Sequence, residues 1–558
     1  MRPPLSRAPL IALLALLAVA SAAAEEKSTP TPANLTAVPD FEEVLTRLVI
    51  NRSRTGEHYG KDQGREVVEV TIATVLDTLQ HLLAAPVTLN ETFLRVPELV
   101  YPHFWELASA ARVLGGAEDP PPDGPPGGQD VVTQLENISA KVAKLYKHLC
   151  WPVLRRVIIA AIVQRRFSQG PFPPEARPVI ARLSVQLYEL HKAAAARKGI
   201  IDFFHISKAG GTTFCQLAKL NGCRTQSFAA RRNCLIREFD DVPRWVNYTL
   251  HVGMAPDGLR TPWFANYGTK TRKELSCRMR KRYMLRRRYN IYANEYTLYG
   301  GSEYPRATHV CAGSLNVLQM RHPQTRLRSH LMWVWALYDH HFKEQAGAFF
   351  PTHNSTHWNA LMPAVTDNYY LRSMLGESVY YSPPNHLNET HLHAGRLATL
   401  QFDVLMLLEE PGMNDVLYEM AMGWGLGFRA VHARTSTQLH EVGRQGLPDP
   451  LDWQALLKAN ELDLELYRFG SLVALLDSIV FQIAKESGLG TGYASVQDAG
   501  ADEDDTSQAQ AEVVGTRAVN PGDDEQWALP GNGTGPARVC GYVATFDHDR
   551  VLPPWVIV

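Results

Sequence analysis

Four stretches in the first 200 residues repeat apolar side chains at helical spacing: 41–50, 67–83, 131–167 and 178–196. A Gly/Pro/Asp-rich run at 115–130 interrupts them, and its composition predicts a flexible excursion without a packed core. At Gly199 the pattern changes. The run 199–206 is short and strand-like and leads into a glycine turn and a helical pattern. Further strand-like runs fall at 290–294, 314–320 and 402–408, with helical runs at 324–343 and 366–375 between them. Strands alternating with helices predict a three-layer α/β domain with a central parallel sheet, preceded by a mainly helical N-terminal extension. The organisation read from these shifts is 1–24, 38–198, 199–487, an acidic, disordered stretch at 488–535, and a final segment at 536–558 that holds Cys540 and is expected to dock back on the domain.

A chain of 558 residues with 45% hydrophobic residues has ample material for a buried core, and a formal charge of −1 leaves any partner to be read from local charge. The first residues read as a secretory signal. Arg2 and Arg7 flank an apolar run from Ala8 to Ala20, and Ala20-Ser21-Ala22 supplies a small-x-small cleavage pattern. A type II signal-anchor is the alternative, although the run is short of the ~20 apolar residues of a span. Eight N-x-Ser/Thr sequons, at Asn34, Asn51, Asn90, Asn137, Asn247, Asn354, Asn388 and Asn532, point the same way. Seven cysteines in an oxidising lumen leave at least one outside intramolecular pairs, and their connectivity stays open. No Cys/His spacing suggests zinc; His386, His391 and His393 match no closed metal site.

The strongest local signal is His205-Ile206-Ser207-Lys208-Ala209-Gly210-Gly211-Thr212-Thr213-Phe214. A strand enters a glycine turn and a helix starts at the threonines. Amides at such a helix start attract a phosphate, Lys208 adds a cation, and Thr212 and Thr213 add hydroxyls. The lysine precedes the glycines, unlike the loop of nucleoside triphosphatases. Downstream, Arg321-His322-Pro323 opens a second strand-to-helix junction, with Ser329 eight residues after the arginine. Arginine offers a planar fork to phosphate oxygens.

The first segment resembles the 5′-phosphosulfate-binding loop of Golgi carbohydrate sulfotransferases, His-x-x-Lys-[Thr/Ser]-Gly-Gly-Thr-[Thr/Ser]-Phe, and is nearest to the heparan sulfate 6-O-sulfotransferase type. Ala209 stands where Thr or Ser is usual, and Ser207 where Pro or Gln is. The second segment resembles the family's 3′-phosphate motif, Arg-Asp-Pro-x-x-Arg-x-x-Ser, with His322 in place of the acid. Asn368 and Arg372 resemble a later Asn-x-x-x-Arg-x-Leu helix at slightly different spacing, and the strand from Phe402 to Glu409 resembles a later Phe-Asp strand. The resemblance covers about 199–410. It implies a P-loop-like domain that transfers a sulfuryl group from 3′-phosphoadenosine 5′-phosphosulfate to a carbohydrate hydroxyl without a metal. The implied donor contacts are Lys208, Ala209, Gly210, Gly211, Thr212, Thr213, Arg321, Ser329 and Arg372.

Sulfuryl transfer by analogy with phosphoryl transfer needs positioning and electrostatics, with Lys208 neutralising the leaving oxygen and a base taking the acceptor's proton. Glu295 ends a strand-like run, where open α/β sheets place ligands, and is the favoured base, with His251 and His309 as rivals. Nine Arg and Lys residues against the one acid Glu274 lie between Arg272 and Arg288, with Tyr283 and Tyr289 interleaved. They read either as a solvated helix face or as a groove for an acidic polysaccharide; the signal segment argues against nucleic acid. The implied setting is the Golgi lumen or the exterior, with membrane anchoring through the N-terminus as the signal-anchor variant. Two other classes fit less well. One is a luminal ATP-dependent kinase, for which Asp403 is the best metal-binding carboxylate; the other is a non-catalytic glycan- or nucleotide-binding protein.

Overall fold

The computed structural model describes residues 39–50, 74–79, 88–89, 92–93, 96–116, 130–229, 233–254, 266–267, 275–298, 310–342, 354–428, 431, 444, 446–490 and 540–545. Four short strands form a parallel sheet: β1 (Ile201–Phe204), β2 (Ile291–Asn294), β3 (Leu315–Met320) and β4 (Val404–Leu407). Their order is β2-β1-β3-β4, with Ile201 level with both Ile291 and Leu315, and Val317 level with Val404. Every residue of β2, β3 and β4 is buried, as expected for parallel strands covered on both faces. The chain runs from β1 to one side of the sheet and then crosses to the other, so the switch point lies between β1 and β3.

Most described residues are helical. The elements that frame the sheet are α1 (Pro102–Leu114), α2 (Val131–Val142), α3 (Pro152–Gln169), α4 (Ala176–Lys198), α5 (Gly211–Leu220), α6 (Cys277–Arg287), α7 (Pro323–Phe342), α8 (Tyr369–Met374), α9 (Glu389–Leu400) and α10 (Glu461–Ala484). The apolar run at 131–167 divides into α2 and α3. Pro152 supplies no amide donor, and Trp151 before it takes a φ of 49°, outside the right-handed helical region. The expected helix at 366–375 divides in the same way at Asn368, with φ 49°. Of the run 67–83, the described part, 74–79, is helical, while the Gly/Pro linker and the acidic stretch lie almost wholly outside the described residues.

The helices of 38–198 share one core with the sheet, within a compact unit that spans 39–558. α3 is buried along nearly all of its first three turns, including the adjacent Arg155 and Arg156. Both guanidinium groups reach Asp477 on α10, at 2.9 Å and 2.7 Å, and they also donate to the carbonyls of Asp403 and Leu400. The segment Glu461–Leu489 is long and apolar enough for a membrane span by composition, yet it is mostly buried inside the protein. Three disulfides, Cys215–Cys234, Cys223–Cys540 and Cys277–Cys311, pair six cysteines, and Cys150 is free and buried. The second of them ties 540–545 onto the core, where the Tyr542 amide donates to the Met422 carbonyl and its hydroxyl meets that of Tyr188.

Candidate active site

The loop after β1 turns on two left-handed residues, Lys208 at φ 68° and Gly210 at φ 87°. A Cβ on Gly210 would fall 2.3 Å from Gln319 Nε2, and one on Gly211 would fall 1.8 Å from His205 Nε2, so both positions require glycine. α5 starts at Gly211, and by position its first amides have no acceptor within the helix. The Ala209 amide is committed to the Ile206 carbonyl, while the Ala209 carbonyl accepts from Gln319 Nε2 at 2.7 Å. Thr212 donates its hydroxyl to Asn233 Oδ1 at 3.0 Å, and Thr213 is buried.

The junction after β3 lies beside this loop. Arg321 Nη1 donates to the Lys208 carbonyl at 3.1 Å. The backbone of Arg321 is held from both sides by Tyr370 on α8: its amide donates to the phenol oxygen, and the phenol donates to its carbonyl. Asp463 on α10 holds α8 in turn by accepting the amides of Tyr370 and Leu371. The next residue, His322, donates its amide to Glu409 at the end of β4. Burial lowers the pKa of the Arg321 guanidinium from its ordinary value, and the Glu409 carboxylate opposes that effect. Ser329 lies part-buried on α7, the same helix that this junction opens.

Beneath the loop, Ser207 Oγ donates to Glu295 Oε1 at 3.0 Å, accepts from Trp245 Nε1 at 3.0 Å and lies 2.9 Å from the Tyr369 hydroxyl. The second Glu295 oxygen stands 3.3 Å from His205 Nδ1. Glu295 is therefore beside the loop, at the carboxyl end of β2, but both oxygens already face loop residues. Lys208 Nζ sits 4.6 Å over the ring of Trp333 on α7. Trp245, Trp333, Tyr369, Tyr370 and Gln319 all act on this site and were not singled out in the sequence. They come from β3, α7, α8 and the segment around Trp245, and nothing in their local spacing marks them.

The arrangement excludes Arg372 from the donor-binding set. It is fully buried, and its guanidinium donates to Asp367 and to the carbonyls of Val379, Tyr380, Ser382 and Pro383. It folds one loop and has no donor group left for a ligand. Asn368 is likewise spent on Asp367 and on the Asp463 amide. His251 is buried against the Tyr338 hydroxyl at 2.6 Å, and His309 lies outside the described residues. Asp403 precedes β4 at the opposite, amino end of the sheet, where it takes Lys198 Nζ at 2.7 Å and the Asn316 amide at 2.8 Å.

Arg272 and Lys273 of the basic cluster lie outside the described residues, and the rest fall into two kinds. Arg280 is buried in a bidentate pair with Asp241, and Lys281 is buried against the Gly313 carbonyl, where burial lowers its pKa to about 8. Arg278, Arg282, Arg286, Arg287 and Arg288 are exposed; the last three run toward the amino end of β2, away from the Lys208 loop. No family model, curated protein or solved structure matches this chain.

Proposed function

We propose that the chain is a sulfotransferase that moves a sulfuryl group from 3′-phosphoadenosine 5′-phosphosulfate to a carbohydrate hydroxyl, on a P-loop-like variant of its parallel α/β fold. The observation that carries this reading is the 3.1 Å hydrogen bond from Arg321 to the Lys208 carbonyl, which joins the two phosphate-type loops at the switch point between β1 and β3. Gly210 and Gly211 open the start of α5 to the 5′ phosphosulfate, whose negative charge suits the helix start. Arg321 and Ser329 serve the 3′ phosphate. Lys208 counters the charge that develops on the leaving oxygen, and Glu295 takes the acceptor proton after Ser207 yields its place. The donor supplies the activated sulfuryl group. No metal is assigned a part in this reading.

The kinase alternative loses its best carboxylate, since Asp403 is paired with Lys198 away from the loop. The signal-like N-terminus, the sequons and three disulfides support a place in the secretory pathway, in the Golgi lumen or outside the cell. A glycan, including an acidic polysaccharide, is the proposed acceptor. Labelled sulfate offered as the donor to a panel of glycans tests the reading, with donor binding followed by calorimetry. Transfer to one glycan class supports it. Donor bound without any transfer favours the non-catalytic binding protein, and no donor binding rejects both.

A further inference from the structure

His330 lies on α7, seven residues after the proline that opens it, and is fully buried. Its ring packs edge-on against Trp245, with centroids 4.7 Å apart, and against Tyr369, at 6.0 Å. Both of those side chains also hydrogen-bond Ser207, the residue just before Lys208. One helical turn further on, at i+3, Trp333 carries Lys208 Nζ on its face. The imidazole thus stands against the wall of the Lys208 loop, in a place that no motif marks.

The tautomer follows from its neighbours. Arg326 Nη1 lies 3.3 Å from His330 Nδ1. A guanidinium can only donate, so Nδ1 accepts and the ring proton sits on Nε2. Nε2 has no hydrogen-bond partner among the described residues. A buried N–H left without an acceptor is costly, on a par with a lost hydrogen bond. Burial, with Arg326 and Lys208 as the nearby cations, keeps the ring neutral well below the ordinary histidine range. A neutral ring with its donor preserved at every physiological pH is poor as a base and well suited as a fixed electrophile.

We infer that His330 is a neutral Nε2–H donor to an oxygen of the phosphosulfate held at the Lys208 loop. The inference rests on the donor assignment proposed above. Lys208 rests on the Trp333 indole one turn along α7 from His330, and the bound anion draws Lys208 off the indole toward itself, which frees the imidazole's side of the loop. The donor then satisfies an N–H that the described residues leave without an acceptor, so the contact favours the bound anion without a change of protonation.

The test uses the full chain labelled with ¹⁵N in its histidine rings, with His330→Gln to assign the resonance. The expected spectrum is that of a neutral Nε2–H tautomer, unchanged between pH 5 and 8, whose proton moves downfield when 3′-phosphoadenosine 5′-phosphosulfate is added. His330→Phe, which keeps the packing and removes the donor, should bind this compound about ten- to a hundredfold more weakly. Calorimetric binding with an unmoved His330 resonance would overturn the inference and leave the donor site standing. Absence of any binding to the parent chain would overturn the donor site itself, and this inference with it. Should the Phe variant fail to fold, the spectrum of the parent chain still decides.

Discussion

Lys208 adopts a left-handed backbone that costs a non-glycine residue about 1–2 kcal/mol, and the Arg321 bond to its carbonyl helps to hold it there. The proposed role of Lys208 predicts that Lys208→Ala lowers turnover more than donor affinity, because charge on the leaving oxygen grows in the transition state. Separate measurement of kcat and donor Kd checks this; equal losses in both would assign Lys208 to ground-state binding. Arg321→Ala should weaken donor binding by about ten- to a hundredfold, the size of a lost charge-assisted bond, and Ser329→Ala by less. Parental affinity in both variants would remove the 3′-phosphate assignment. Glu295→Gln keeps shape and removes basicity, so the base role predicts a fall in turnover of roughly 10²–10⁴-fold with donor affinity intact. A matching loss of donor affinity would show instead that Glu295 serves to hold Ser207 and His205 in the loop.

Among the elements, α3 is set by distant partners. Glu98 accepts the amides of Val153 and Leu154 at 2.9 Å each and so caps a helix 55 residues away. Burial raises its pKa from the ordinary 4.5 to about 7, against the pull of those amides and of Arg155 and Arg156. The folded chain then binds a proton that the unfolded chain has released. This contribution to stability is full below pH 4.5 and is lost as pH rises through about 7. Glu98→Gln should flatten that slope, as thermal unfolding at pH 5 and pH 7.5 will reveal; an unaltered slope would mean that Glu98 is ionised throughout. Further along, Asp477 answers two buried guanidinium groups at once. Asp477→Ala leaves both without their anion and should cost about 3–5 kcal/mol in denaturant unfolding. A cost under ~1 kcal/mol would mean that the carbonyls of Asp403 and Leu400 suffice.

Across the whole molecule, three of the sequon asparagines, Asn137, Asn354 and Asn388, lie exposed on the surface. Asn354 and Asn388 cap helices through Oδ1, which leaves Nδ2, the atom that carries a glycan, pointing elsewhere. Protein from a secretory host should therefore shift on a gel after glycosidase treatment, and Asn354→Gln with Asn388→Gln should remove part of that shift. Unchanged mobility would refute the luminal assignment.

The positions of all four strands, the glycine turn and the helix start after it were legible from local pattern, because each depends on residues within one or two turns. The turn at Lys208, Gly210 and Gly211 and the strand-to-helix junction at Arg321 were legible for the same reason: a tight turn between a strand and a helix restricts residue type at the position itself. Tertiary structure alone decided which of the remaining polar residues serve the site. Arg372 and Asp403 carry the right chemistry in sequence, but Asp367 and neighbouring carbonyls consume the first, and Lys198 consumes the second at the far end of the sheet. Trp245, Trp333 and His330 carry no local signal; tertiary packing alone sets Trp245 on Ser207, Trp333 under Lys208 and His330 against Trp245. The order β2-β1-β3-β4 is also a tertiary decision. Parallel strands are joined through long crossovers, so no local sequence states which edge a strand takes, and that order is what sets Arg321 beside Lys208.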